Sequence, residues 1–385
     1  MYAVFMTTPR IALIRQKYTS FGGAERFAAA ALEALVESGA RLSVITRHWR
    51  HQPGVEAVKI SPFYIGRLWR DHGFAKTACA VVETRGFDLV QSHERLACCD
   101  IYRAGDGVHR EWLRQRRRTM GVFGRLAQAF SPYHRHVRSA EQRVFASPRL
   151  QAVICNSEMV RDEILKYFGP LDVRLEVVYN AVDLERFSPL LRSRFRQALL
   201  TRLTIPERSL VYLFVGSGYA RKGLAQVLRA LKRLPLHCYL VVVGKDRHMR
   251  RYERLAHRLG VAARVRFVGA QEETAPYYGA ADAFVLPTLY DPFPNVVLEA
   301  MASGLPVVTS SKCGAVDLIR DGENGYVCDA LDVDGLVWRM RELLDQGVRE
   351  RLGYASRKLV EGWTAEQMAA RLLGLYRDLL EETDR

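Results

Sequence analysis

No stretch of the 385-residue chain approaches the roughly 18 unbroken apolar residues of a membrane span. Its start, Met1-Tyr2-Ala3-Val4-Phe5-Met6, lacks the basic region followed by an apolar one that marks a secretory leader, so the expected location is the cytoplasm. Cysteine is sparse. The seven residues Cys79, Cys98, Cys99, Cys155, Cys238, Cys313 and Cys328 are scattered and form no Cys-x-x-Cys pair. Neither a disulfide framework nor a zinc site is indicated, and most are expected to be small core residues. The dinucleotide-binding Gly-x-Gly-x-x-Gly and the Gly-Lys-Ser/Thr of the Walker loop are both missing, which disfavours those two ways of holding a nucleotide. No Asp-x-Asp metal site is evident between strands, and there is no short-period repeat or low-complexity tract. Acid is in deficit: 42 Asp and Glu against 57 Lys and Arg leave a charge of +15, which favours an anionic partner such as a nucleotide, a nucleic acid or a membrane surface. With 49% hydrophobic and 26% charged residues, the chain is neither disordered nor collagen-like.

What is present is a rhythm. Apolar runs at Ile11–Ile14, Leu42–Ile45, Leu89–Val90, Ala152–Ile154 and Leu175–Val178, then Leu210–Val215, Tyr239–Val243, Val265–Val268, Ala283–Leu286 and Pro306–Thr309, alternate with amphipathic stretches. Nearly continuous apolar strands imply sheets buried on both faces, joined by right-handed βαβ crossovers. The expectation is an α/β chain of two Rossmann-like, doubly wound domains facing a central cleft, residues 10–187 and 188–363. A last segment, 364–385, opens with the capping-box pattern Thr364-Ala365-Glu366-Gln367 and places Met368, Leu372, Leu375, Tyr376 and Leu379 on one helical face, predicted to pack back on the first domain.

Three segments carry chemistry. Phe21-Gly22-Gly23-Ala24-Glu25 follows the first strand and precedes a helix, so paired glycines let the backbone approach a ligand at a helix start. Val215-Gly216-Ser217-Gly218-Tyr219-Ala220-Arg221-Lys222-Gly223 ends a strand with an adjacent Arg221-Lys222 pair, and a guanidinium fork beside an ammonium suits a diphosphate. The block from Tyr290 to Val308 places two carboxylates, Asp291 and Glu299, on a proline-bearing loop and on the helix that opens near Asn295; each can accept hydrogen bonds from sugar or ribose hydroxyls.

These motifs, with Asn180-Ala181-Val182-Asp183 and Phe187-Ser188-Pro189 between them, occur in an order that resembles the retaining nucleotide-sugar glycosyltransferases of the GT-B fold, family 4 type. The resemblance implies that Arg221 and Lys222 hold the donor diphosphate and offset charge on the departing nucleotide. It implies that Glu299 binds the ribose and that Asp291, where the family carries a Glu, meets the donor sugar. Phe293, Pro294, Asn295, Val296 and Val297 match the loop whose backbone holds sugar hydroxyls and phosphate. Gly22, Gly23 and Gly216 match the turns at the phosphates, and the backbone at Val268, Gly269 and Ala270 matches the seat of the base. Tyr102 to His109 looks like the segment facing the donor sugar and particularly resembles bacterial lipopolysaccharide core glucosyltransferases; Asp106 is the polar group expected near the transferring carbon, with His93 or His109 as further donor-sugar contacts. The implied reaction is hexose transfer, glucose favoured, from a UDP-sugar to a sugar hydroxyl of a membrane glycolipid such as the lipopolysaccharide inner core. It proceeds with retention by front-face attack, without a metal cofactor. UDP-GlcNAc or heptose donors, and a soluble or lipid-carrier acceptor, stay open.

Between Arg110 and Arg149 stand ten arginines against only Glu111 and Glu141, interleaved with large apolar residues. Arg114, Arg116, Arg117, Arg118 and Phe123 are the expected contacts with an anionic inner-membrane surface, which would make the protein peripheral to that membrane, or with acceptor phosphates. A basic nucleic-acid-binding protein is the competing class. It lacks zinc-finger spacing or an RNA-recognition signature, so no nucleic acid is expected.

Overall fold

Apolar runs without polar interruption become interior strands of two parallel sheets. Leu210–Val215, read Leu-Val-Tyr-Leu-Phe-Val, and Ala152–Cys155 are buried at every residue, as strands covered on both faces must be. The computed structural model describes residues 8–17, 35–37, 39–49 and 53–383. In chain order these give β1 (Arg10–Ile14), β2 (Arg41–Thr46), β3 (Val55–Lys59), α1 (Gly66–Arg85), β4 (Leu89–Ser92), β5 (Ile101–Arg103), α2 (His109–Arg117), α3 (Val122–Ala129), α4 (Pro132–Phe145), β6 (Ala152–Cys155), α5 (Glu158–Phe168) and β7 (Arg174–Val177). There follow α6 (Leu191–Arg202), β8 (Leu210–Val215), α7 (Tyr219–Lys222), α8 (Leu224–Leu231), β9 (Cys238–Val243), α9 (Met249–Leu259), β10 (Val265–Gly269), α10 (Ala275–Ala280), β11 (Ala283–Leu286), α11 (Asn295–Ala302), β12 (Val307–Ser310), β13 (Gly325–Cys328), α12 (Val333–Glu342), α13 (Gln346–Val360) and α14 (Ala365–Thr383).

The chain divides into two compact units, Met1–Asn180 with Ala365–Arg385, and Ala181–Thr364. The first holds a seven-stranded sheet in the order β3-β2-β1-β4-β5-β6-β7, the second a six-stranded sheet in the order β10-β9-β8-β11-β12-β13. Every pairing is parallel, and both orders reverse direction after the third strand, which is the doubly wound α/β arrangement anticipated from the sequence. β3, β5 and β13 were not anticipated. β3 lies at a sheet edge with an alternating rather than continuous burial pattern, and β5 is only three residues long.

Helix starts follow local chemistry. Ser131, Ser157, Asp332 and Asp345 each accept a hydrogen bond from a backbone N–H of the first turn of α4, α5, α12 and α13. Met368, Leu372, Leu375, Tyr376 and Leu379 of α14 are all buried. The Tyr376 hydroxyl donates to Gln91 Oε1 at 2.6 Å, and Arg174 at the start of β7 reaches Asp378 at 3.0 Å, so α14 belongs to the first unit. Val182 and Phe187, assigned by sequence to the end of the first domain, bond within the second unit: Val182 N donates to Trp363 O, and Phe187 packs edge-on against Tyr278.

One expectation is corrected. Cys79 on α1 and Cys98 after β4 form a disulfide, Cα–Cα 5.6 Å, although their spacing gave no sign of it. The pairing is made by α1 packing back beside the β4–β5 loop, a tertiary contact that a 19-residue separation does not encode. The other five cysteines are buried, as expected of small core residues. Among the described residues no helix is long and apolar enough to cross a membrane.

Candidate active site

In a doubly wound sheet the natural ligand crevice lies outside the carboxyl ends of the strands where the order reverses. In the second unit that point is between β8 and β11, and the Arg-Lys segment and the Asp291 loop leave the sheet there.

Beyond β8 the chain passes Gly216 at φ +143°, where a Cβ would come within 2.6 Å of Lys222 Cδ and 2.7 Å of Cε. Only glycine lets the lysine stem lie across the backbone at this point. The single-turn α7 then places Arg221 and Lys222 side by side. Tyr219 anchors its start: the backbone N–H donates to Asp246 Oδ2 at 2.8 Å and the hydroxyl to Gly244 O at 2.7 Å. Its end is stitched to the segment after β11, since Leu289 N and Thr288 Oγ1 both donate to Arg221 O, at 2.8 and 3.1 Å. Gly223 sits so close to Pro287 that a Cβ would lie 2.1 Å from its carbonyl oxygen.

These two stretches bring three charges together. Asp291 Oδ2 lies 2.9 Å from Arg221 Nη1 and 3.3 Å from Lys222 Nζ, and Arg221 also donates to Tyr290 O at 3.0 Å. The Asp291 backbone is held from both sides, its N–H donating to Lys312 O and its carbonyl accepting from Gly314 N. Burial alone would push the Asp291 carboxyl up, but Lys222 and Arg221 outweigh it and hold its pKa below the ordinary value. Lys222 and Asp291 are buried while Arg221 remains about a third exposed, so the cluster carries one net positive charge with its guanidinium toward solvent. Such a cluster suits an anion: a diphosphate gains two charge-assisted donors and the aspartate keeps them aligned.

Pro294 precedes α11 and supplies no capping side chain, while its carbonyl accepts from Val297 N at 3.0 Å. The side chains of Phe293 and Val297 are buried, so neither is presented to a ligand. Glu299 is buried one turn into α11 and accepts a 2.8 Å hydrogen bond from the Tyr278 hydroxyl. Tyr278 was not identified in the sequence, because a tyrosine in an apolar helix gives no local signal of such a role. Ala270, just past β10, is exposed at a carboxyl edge. A cavity of about 560 Å³ opens at the opposite, amino-terminal edge of this sheet, lined by Arg192, Arg196, Asp282 and Arg349 among others. There Arg192 and Arg196 share Asp282, and Arg349 donates to the Leu343 and Leu344 carbonyls.

In the first unit the reversal falls between β1 and β4. His93, just past β4, is half-buried between Arg15 Nη1 at 3.2 Å and Gln91 Nε2 at 3.1 Å, and desolvation together with Arg103 and Arg15 pushes its pKa well below the ordinary value. Glu94 accepts from Gln16 N at 3.0 Å, and burial raises its carboxyl. Asp106 is exposed, 3.4 Å from Arg95, whose guanidinium also meets buried Glu141 at 3.0 Å. His109 opens α2, its backbone N–H donating to Glu141 and its Nε2 lying 3.0 Å from His134 Nδ1. Burial, followed by Arg95 and His134, lowers its pKa to about 3, so it is neutral near pH 7. Arg95, Glu141 and His134 were missed as site residues, although Glu141 stood out as one of two acids among ten arginines. Gly22 and Gly23 lie outside the described residues.

The arginine stretch folds as α2, α3 and α4. Arg114 pairs with buried Glu111, Arg116 reaches His134 at 3.4 Å, Arg118 donates to Gln115, Arg117 is exposed, and Phe123 is 88% exposed. Among the described residues no three His, Cys, Asp or Glu side chains gather as a metal site.

Two family models match the chain, glycosyl transferases group 1 over residues 195–359 and Glycosyltransferase Family 4 over residues 21–186. A lipopolysaccharide core biosynthesis glycosyltransferase, LpsE of Rhizobium meliloti, is 30% identical over 54% of this chain and 59% of its own. A D-inositol 3-phosphate glycosyltransferase of Thermobifida fusca is 31% identical over 77% of this chain and 70% of its own. The lipopolysaccharide glucosyltransferase WaaG of Escherichia coli is 25% identical over 82% of this chain and 84% of its own. A crystal structure of WaaG superposes with a TM-score of 0.81 at 24% identity, covering 94% of this chain and all of that one. The chain spans between 58% and 61% of the length of several curated relatives it matches.

Proposed function

This chain belongs to the GT-B glycosyltransferases that carry a family 4 and a group 1 domain, and from that membership we propose that it transfers a hexose from a UDP-sugar, with retention, to a sugar hydroxyl of a membrane glycolipid of the lipopolysaccharide core. The observation that carries the reading is the Arg221–Lys222–Asp291 cluster at the reversal point of the second sheet. The activity of LpsE and WaaG, as named, supports the glycolipid acceptor. UDP is the first nucleotide to test because Anabaena HepE, which shares the fold, has been solved with UDP-glucose.

In the proposed step the bond between the anomeric carbon and the β-phosphate oxygen breaks while the acceptor hydroxyl oxygen bonds to that carbon on the same face. The hydroxyl proton passes to the departing phosphate, so no protein base is needed. Arg221 and Lys222 stabilise the negative charge that grows on the leaving diphosphate, and Asp291 both aligns them and offers its other oxygen to sugar hydroxyls. Glu299 and the backbone from Phe293 to Val297 would hold ribose, phosphate and sugar, and the backbone at Ala270 the base. His93, Asp106 and His109 are the proposed substrate contacts of the first unit. The exposed arginines of α2 and the apolar face of α3, Phe123 foremost, would hold the enzyme at the inner face of the cytoplasmic membrane. A second reading, a soluble phosphorylated acceptor, is favoured by the likeness to the D-inositol 3-phosphate enzyme, whose match covers more of this chain than that of LpsE.

The test is calorimetric binding of UDP-, GDP- and ADP-sugars to the wild type and to Arg221→Ala/Lys222→Ala, with the product anomer read by NMR. UDP-glucose should bind and lose about a hundredfold or more in affinity in the double variant, as expected for two charge-assisted contacts. Absence of any nucleotide-sugar binding would sink the reading. Transfer to inositol phosphate but not to lipopolysaccharide core would install the second one.

A further inference from the structure

Thirteen large apolar side chains are exposed among the described residues, and eight of them fall in two segments of the first unit: Phe63, Tyr64, Ile65 and Trp69, then Val122, Phe123, Leu126 and Phe130. The second set forms α3, whose polarity is inverted. Its one fully buried side chain is polar, Gln128, which donates to Leu113 O at 3.0 Å, whereas the apolar residues at positions 122, 123, 126 and 130 share the outward face. A helix that hides its amide and shows its hydrophobes is not finishing the core of this unit.

The first set lies about 60 residues earlier, at the start of α1, and the fold brings it to the same place. Arg67 stacks its guanidinium over the Tyr133 ring at 4.0 Å, and the rings of His72 and His136 meet edge-on at 5.9 Å, so the first turns of α1 and α4 lie together. Phe130 caps α3, and the next residue, Ser131, caps α4. Ile65 and Trp69, four apart across the start of α1, are 68% and 57% exposed.

The surrounding charge is of one sign. Arg67, Arg117, Arg125 and Arg135 are exposed here. Of the nearby acids, Asp71 is paired with Arg70 at 2.9 Å and Glu111 is buried. Neither α1 nor α3 has a capping side chain or an acid in its first turn, so both begin with N–H groups no carboxylate serves. Apolar side chains, arginines and uncapped helix starts are what shallow insertion into an anionic lipid surface uses: rings and aliphatic chains below the headgroups, guanidinium and N–H groups at phosphate level.

We infer that the segment from Phe63 to Trp69 is a second membrane contact, which together with α3 docks the first unit on an anionic phospholipid bilayer at two points and so fixes its orientation there. This rests on the proposed peripheral membrane reading, which involves only α2 and α3.

The test uses the full chain and vesicles of phosphatidylglycerol with phosphatidylethanolamine, against pure phosphatidylcholine, in co-sedimentation. Phe63→Ser/Ile65→Ser/Trp69→Ser should lower partitioning onto the anionic vesicles about tenfold or more, with the melting temperature and UDP binding unchanged. Phe123→Ser/Leu126→Ser/Phe130→Ser should do the same. If only the α3 variant loses binding, the inference fails and the membrane reading stands; if the α3 variant binds as the wild type does, both fail. As a measurement independent of the triple variant, brominated lipid should quench the tryptophan emission of the wild type, and Trp69→Phe, which keeps an aromatic anchor, should bind but lose most of that quenching. Unchanged quenching in Trp69→Phe would overturn the contact. So would a dimer in sedimentation velocity that the Phe63/Ile65/Trp69 variant dissociates while the wild type ignores vesicles.

Discussion

Replacing Asp291 by Asn removes one charge and almost no volume from the centre of the proposed donor site. In the wild type its carboxylate lies 2.9 Å from Arg221 and 3.3 Å from Lys222, and at an effective dielectric constant of about 20 each contact is worth roughly 5 kcal/mol of gross Coulomb attraction. Arg221 is partly exposed and screened, so most of the net effect comes from Lys222, which is buried under the same loop. Breaking a buried pair from one side leaves a charge without its partner, and a loss of about 2–4 kcal/mol in unfolding free energy is expected. The same change takes the site from one to two net positive charges. A diphosphate replacing the missing counter-charge should therefore bind Asp291→Asn more tightly, by about tenfold for UDP. Transfer should fall, because the carboxylate no longer aligns the two cations or meets sugar hydroxyls. Two assays read this: urea unfolding followed by circular dichroism, and calorimetry with UDP and UDP-glucose. The wild-type Asp291 pKa is depressed, so its contribution to stability is present above the ordinary value of 3.8 and lost as pH falls through the lower folded value; the Asn variant should lack that acid limb. Weaker UDP binding in Asp291→Asn, comparable to the loss in Lys222→Ala, would refute the view that the aspartate holds the cations against each other until a diphosphate arrives.

Two further outcomes are expected. Gly223→Ala puts a Cβ 2.1 Å from Pro287 O at φ +81°, with only backbone to yield, and should cost about 3 kcal/mol or more and detach α7 from the β11 loop; a melting temperature within a degree or two of wild type would contradict it. His109 has a folded pKa of about 3 against an ordinary 6.5, so the unfolded state binds the extra proton in that window and stability should fall as pH drops from 6.5 toward 3, by about 1.4 kcal/mol per pH unit for this group. The slope should lessen by that amount in His109→Gln, measured by urea midpoints across the window, and an unchanged slope would show that the imidazole takes its proton in the folded state.

The sequence made the sheets legible because parallel strands buried on both faces need unbroken apolar runs, and Leu210–Val215 or Tyr239–Val243 have no other use. It made the Arg221–Lys222 pair legible because cations at a strand's carboxyl end are chemically conspicuous. What it could not show is who meets whom. Asp291 was placed at the sugar by position in a motif, yet its nearest partners in the fold are the two cations expected at the phosphates, because Leu289 and Thr288 draw the β11 loop onto α7. The disulfide, the Tyr278–Glu299 bond and the Arg95–Glu141–His109 cluster have the same character, each joining segments whose distance along the chain carries no signal.

The arginine stretch shows the converse. Composition alone read it as ten cations seeking an anion, but the fold spends several of them internally: Arg114 on Glu111, Arg149 on Asp100, Arg116 on His134. The two acids that looked negligible in the sequence are the buried organisers, Glu111 receiving Gln115 and Tyr167 and Glu141 receiving Arg95 and the start of α2. What remains for a partner is a smaller charge and a larger apolar face than the count suggests. A nucleic acid would use the first and leave the second wet, whereas a bilayer uses both, which is why the hydrophobes of α3 and of the start of α1, more than the net charge of +15, decide what this surface touches.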